Sequence, residues 1–218
     1  LLPDYLGPQR YSHDEGVDAD EVGVANGLAW TATGGEVLVI EALKMPGQGK
    51  LVITGKLGEV MKESVQAAYS FVRSRLAQLG LTHDDIQKHD IHIHFPAGAV
   101  PKDGPSAGIT VTLAIASLLS GYKVRSDVAM TGEVTLRGKV LAVGGIKDKV
   151  LAAYRAGIRE IVMPHQNGKD LIELPQEVRD NVKFTLAEHV DQLLALALIG
   201  YDPSNHIESD VPDVIPGS

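Results

Sequence analysis

Residues 101–108 read Pro-Lys-Asp-Gly-Pro-Ser-Ala-Gly and lead directly into the apolar run Ile109–Leu119. Gly104 and Pro105 suit a tight turn, which leaves Ser106 where a helix would begin. At that point backbone N–H groups lack intrahelical partners, and the positive end of the helix dipole lies close. Such surroundings stabilise an oxyanion beside a serine hydroxyl, so the stretch reads as a mount for a nucleophile. The competing reading is that Ser106 caps the helix, a role serine fills well. A serine nucleophile needs a base, and Gly144-Gly145-Ile146-Lys147-Asp148-Lys149 supplies lysines ahead of another helical pattern. Lys149 is followed by Val150, Leu151, Ala152 and Ala153 and can point inward, where burial and the dipole favour the neutral amine. Two positions are about 200° of helical rotation, so Lys147 and Lys149 cannot both face Ser106. From spacing alone, two solvated lysines remain an open alternative.

Other chemistries find less support. There is no cysteine, which excludes a thiol nucleophile, disulfides and cysteine-based zinc sites. His92-Ile93-His94 places two histidines on one face of a strand, too few for zinc without a third ligand. The 218 residues are 44% hydrophobic and 22% charged, ordinary for a globular protein, with a formal net charge of −8. That acidity and the absence of a Lys/Arg cluster argue against DNA binding. The longest uncharged apolar stretch, residues 109–121, is too short to cross a bilayer. No signal peptide is recognisable at Leu1, and without a starting methionine the sequence is expected to be cut from a longer chain.

The elements that must position these residues follow from periodicity. Residues 1–21, polar and broken by Pro3, Gly7 and Pro8, are expected to be a linker; residues 22–202 carry the folded domain. Val22–Thr31 and Glu36–Ala42 form a hairpin around residues 32–35, residues 44–50 form an exposed loop, and Leu51–Thr54 a short strand. Met61, Val65, Ala68, Val72, Leu76 and Leu79 mark an amphipathic helix of about five turns that Gly80 ends. A strand at 90–95 and a loop at 96–105 precede a helix at 106–120 that is apolar nearly all round and so must be central. A buried strand is expected at 127–131 and a hairpin at 134–143. A helix at 147–156, strands at 160–163 and 183–185, and a helix at 190–198 complete the pattern. The acidic, proline-bearing tail at 203–218 is expected to be disordered. Hairpins mixed with helices indicate an α+β fold rather than a regular doubly wound sheet.

Pro101–Gly108, Thr131-Gly132-Glu133 and Gly144–Lys149 together resemble the proteolytic domain of the Lon ATP-dependent proteases. The likeness extends to Gly27-Leu28-Ala29-Trp30-Thr31, to Gly55–Met61 and to His92–Pro96, in matching order. It implies a compact α+β proteolytic domain with Ser106 as nucleophile and Lys149 as general base. Thr131 would orient the lysine amine. Asp103, at the mouth of the site, would close or gate the loop, and Glu133 would serve structure or a subunit interface. No catalytic histidine is implied at His92 or His94. The resemblance further implies a serine endopeptidase, assembled as a homo-hexamer, acting on unfolded proteins or peptides. ATP and magnesium would belong to an ATPase module N-terminal to this domain, and the domain itself would need no cofactor. Gly47-Gln48-Gly49-Lys50 is followed by Leu51 and so lacks the hydroxyl of a phosphate-binding loop. A bacterial cytoplasm is the expected compartment, ahead of the mitochondrial matrix. The alternative is a Lon-like oligomerisation or substrate-binding module of another ATPase, whose members lack the serine and lysine present here.

Overall fold

Val24–Thr31 (β1) and Gly34–Pro46 (β2) pair antiparallel with Thr31 opposite Gly34, the hairpin that the glycine pair predicts. The computed structural model describes residues 16, 19–32, 34–96 and 102–206. Most of the expected linker, residues 97–101 of the serine loop, and 207–218 of the tail therefore lie outside the described residues. β2 continues past Ala42, because its outer half pairs with His89–His94 (β4) as far as Pro46 opposite His89. The loop expected over 44–50 thus shrinks to its last few residues: strand pairing overrides the proline, which sits at the strand's end where a missing donor costs little. Leu51–Thr54 (β3) runs parallel to β4 at the sheet edge.

Val128–Met130 (β5), Glu160–Pro164 (β8) and Lys183–Ala187 (β9) extend the sheet in parallel from β1. The seven strands lie in the order β3-β4-β2-β1-β5-β8-β9. Glu133–Val134 (β6) and Val140–Leu141 (β7) form the expected hairpin as a separate pair.

Helices cover both faces of the sheet. Glu59–Ser74 (α1) stops earlier than its apolar period suggests; the chain tightens into a 3-10 turn at Leu76–Leu79, and Gly80 closes it in the left-handed conformation. His83–Gln87 (α2) escapes any periodicity argument at five residues and is fixed by a capping box between Thr82 and Asp85. Gly108–Ser120 (α3) is buried at every position from Gly108 to Ser117, as its all-round apolar character requires. Ile146–Arg155 (α4) matches its expectation. Gln176–Asn181 (α5), after a 3-10 segment at His165–Glu173, was not foreseen; Val190–Ala197 (α6) was.

Two apolar layers result. On one face Ala25, Leu38, Ile40, Ile91 and Ile93 pack with Val65, Val72, Ile109 and Leu113 of α1 and α3. On the other, Leu28, Val37, Ala129 and Ile161 pack with Ile146, Val150 and Ala153 of α4. The serine loop thus approaches from one side of the sheet and the lysine helix from the other. Both start beyond the carboxyl ends of the parallel strands β1 and β5, where an open sheet leaves a crevice.

Candidate active site

Ser106 stands at a turn made by Gly104, whose φ of 112° few other residues tolerate, and Pro105. The helix begins later than the sequence suggests: Ala107 is the N-cap of α3 and makes no side-chain cap. Ser106 is therefore not the capping residue. Its carbonyl oxygen is fixed from the end of β5, accepting the Gly132 N–H at 2.9 Å and the Thr131 hydroxyl at 3.5 Å. Three residues on, Ile109 N–H donates to the Gly132 carbonyl at 3.1 Å. These bonds tie the half-buried serine to the strand rather than leaving it on a free loop.

Lys149 comes from the first turn of α4 and is only 2% exposed. Its Nζ donates to Thr131 Oγ1 at 3.1 Å. Burial alone lowers its pKa from the usual lysine value to about 8. About a tenth of the amine is then neutral at pH 7, against well under a thousandth for a solvated lysine. Lys147, two residues earlier, is exposed. Thr131 links the two ends: its hydroxyl accepts from Lys149 and donates to the Ser106 carbonyl. The position of Lys149 depends on the β1–β2 hairpin, which crosses directly over its backbone. A Cβ on Gly35 would lie 2.1 Å from the Asp148 carbonyl oxygen and 2.8 Å from the Lys149 nitrogen, so only glycine fits there.

Ser106 and Lys149 line one cavity of about 900 Å³. Ala29, Trp30, Met61 and Val143 give it apolar walls, and buried Lys102 and exposed Asp103 also line it. Asp103 is exposed, and its Oδ1 accepts the Met61 N–H of α1 at 3.0 Å and the Gly104 N–H at 2.8 Å. It thus caps α1 from outside and fastens the serine loop to that helix. Trp30, Met61 and Lys102 were given no role in the site from the sequence, although each falls in a segment that carries the family likeness. His92 and His94 lie elsewhere, both bonded to Thr54 Oγ1 across β3 and β4, at 2.8 and 2.6 Å. Glu133 sits on β6 opposite Leu141 and does not line the cavity.

No group of three or more His, Cys, Asp or Glu among the described residues could hold a metal ion. The Gly47–Lys50 loop does not fit a nucleotide phosphate either. Its Gln48 and Lys50 N–H groups already donate to Asp90 Oδ1, each at 2.8 Å. No described helix is long and apolar enough to cross a membrane.

Residues 1–200 match the family described as the Lon protease (S16) C-terminal proteolytic domain. The chain is 54% identical over 198 residues to a Lon protease of Dictyoglomus thermophilum, covering 91% of this chain and 25% of the relative. It is 58% identical over 193 residues to that of Anaeromyxobacter dehalogenans, covering 88% and 23%. For that of Heliobacterium modesticaldum the figures are 52% over 217 residues, 100% and 26%. The chain spans about a quarter of the length of these curated relatives. A buried lysine and a serine sharing one cavity, on a sequence matched from end to end of its sheet, place the chain in the Lon protease C-terminal proteolytic domain family.

Proposed function

We propose that this chain is a serine endopeptidase unit working through a Ser106–Lys149 dyad. The observation that carries the reading is the Lys149 amine, buried, with a lowered pKa, bonded to Thr131 and lining the same cavity as Ser106. Neutral Lys149 takes the Ser106 hydroxyl proton as Oγ attacks the scissile carbonyl. Backbone N–H groups around Ser106 hold the oxyanion that forms. Lys149 then gives its proton to the leaving amine, and the same lysine activates the water that hydrolyses the acyl-enzyme. Thr131 holds the amine in line throughout, and Asp103 keeps the serine loop against α1.

The substrate class draws on the family membership. Unfolded proteins and peptides, whose backbone can extend into the cavity beside Ser106, are the substrates in this reading. In the whole protein, residues 22–202 form the proteolytic domain, joined through residues 1–21 to an ATPase module that holds ATP and magnesium and delivers unfolded chains. Homo-hexameric assembly and a bacterial cytoplasmic location complete this reading, which draws on the Lon family membership.

Hydrolysis of an unstructured fluorogenic peptide tests the assignment. Ser106→Ala and Lys149→Ala each abolish turnover, whereas Lys147→Ala retains it. Turnover by a folded Ser106→Ala chain contradicts the proposal, and so does dependence on Lys147 rather than Lys149.

A further inference from the structure

Trp30 is 59% exposed, yet it is held on three sides. Its Nε1–H donates to Asp148 Oδ2 at 3.1 Å, across 118 positions of sequence. Its Cβ, Cγ and Cδ1 lie against Gly145, where an added Cβ would meet each of them at 3.1 Å. Gly145 is the N-cap of α4 and takes the left-handed conformation, φ 71°. Across the hairpin Trp30 pairs with Gly35, the residue whose backbone rests on Asp148 and Lys149. A large aromatic so exposed contributes little to the core. The side-chain contacts that fix it, to Asp148 and Gly145, fall at the start of α4.

We infer that Trp30 and Asp148 form a clamp that holds the first turn of α4 against the β1–β2 hairpin, and are thereby positioning residues for Lys149. The inference rests on the Ser106–Lys149 reading. Successive residues of a helix point about 100° apart, so Asp148 faces the hairpin while its neighbour Lys149 faces the interior. The buried side of this helix end rests on Ile146 in the core, and its exposed side on the Trp30–Asp148 bond and the Trp30–Gly145 contact; a helix end frays when the contacts on one side are lost. Opening this one admits water to Lys149, removes the desolvation that keeps the amine neutral, and loosens the bond to Thr131. Of the charged side chains nearby, Lys147 is exposed on the same helix, and Lys102 and Asp103 line the cavity. None of them contributes to the lowered pKa of Lys149, whose cause is burial.

The competing role for Trp30 is that of a substrate wall and nothing more, since it also lines the cavity. Asp148 does not line it, which separates the two roles. The test uses the 218-residue chain and its Trp30→Phe, Asp148→Ala and Asp148→Asn variants. Far-UV circular dichroism checks folding, and the Lys149 amine is titrated by 13Cε NMR, its signal identified by loss in Lys149→Met. Trp30→Phe and Asp148→Ala raise the Lys149 pKa by about one unit, which is tenfold less neutral amine at pH 7. Removing the Asp148 charge by itself would lower that pKa, so a rise reports water entry rather than altered charge. Asp148→Asn keeps an acceptor oxygen for the indole and stays at or slightly below the native value. In peptide hydrolysis Asp148→Ala loses about tenfold in kcat at neutral pH with KM little changed. Trp30 is the only tryptophan, so its emission shifts in Asp148→Ala as the ring is released.

Native-like Lys149 titration in both Trp30→Phe and Asp148→Ala overturns the clamp, as does a KM effect alone. If Lys149 of the unaltered chain titrates as an ordinary lysine, the Ser106–Lys149 reading itself fails, whatever the variants do.

Discussion

Lys149 carries two consequences that can be measured separately. As a base it works only when neutral, so turnover rises with pH through about 8, the value to which burial lowers it. The same burial costs stability. The amine titrates near 10.5 in the unfolded chain and near 8 in the folded one, so the unfolded state binds the extra proton between those values. Stability tied to Lys149 is complete above about 10.5, falls as pH drops toward 8, and stays reduced below it. Lys149→Met, which fills the same space without charge, should therefore be more stable than the native chain at pH 7, by on the order of 1–3 kcal/mol. The gain should vanish near pH 11; urea unfolding at both pH values measures it, and equal stability at pH 7 would show that the amine is solvated. Thr131→Val removes the hydroxyl that both Lys149 and the Ser106 carbonyl use. A ~10–100-fold fall in kcat is expected with KM little changed. At this scale helical rotation shows that only one of Lys147 and Lys149 can face Ser106, and the likeness to the Lon proteolytic domain singles out Lys149 and marks Ser106, Thr131 and Asp103 for attention. Trp30 and Lys102 were not legible in this way, because what they touch is set by chain segments brought together only in the fold.

Elements position these side chains, and the hairpin end is the critical one. Gly35 lets β2 cross the α4 backbone at a separation no side chain permits. Gly35→Ala must push the hairpin and the helix apart. A loss of ~1–3 kcal/mol in chemical denaturation is expected, together with a fall in kcat. Full stability and activity in that variant would mean that the hairpin does not set the position of Lys149. The sequence located most elements and misjudged their ends, for reasons particular to each. β2 outruns its apolar alternation because β4 offers it partners through residue 46. α1 stops before Leu76, because a 3-10 turn satisfies the same apolar spacing while letting the chain turn at Gly80. α3 starts at Gly108 rather than Ser106, since β5 and residues 131–132 claim the Ser106 backbone for themselves. α2 and α5, at five and six residues, are too short to show a period at all.

For the molecule as a whole, the mixture of hairpins and helices indicates the α+β class, and the mixed sheet bears this out. Which strands are neighbours was not legible, since β1 pairs with β5 about a hundred residues away. That pairing makes the site: it brings the starts of α3 and α4, on opposite faces of the sheet, together beyond the carboxyl ends of β1 and β5. With no phosphate-binding loop among the described residues, peptide hydrolysis by this chain should be unchanged by ATP. If assembly completes the site, specific activity should rise with protein concentration, as mass action requires. Stimulation by ATP, or activity per chain independent of concentration, would argue against these two points respectively. The most direct test of the central claim is the rate at which a fluorophosphonate labels the chain as a function of pH. Labelling should fall on Ser106, as located by peptide mass spectrometry, should rise with an apparent pKa of about 8, and should be lost in Lys149→Met. Labelling at another serine, or a rate on Ser106 that ignores both pH and the loss of Lys149, would contradict it.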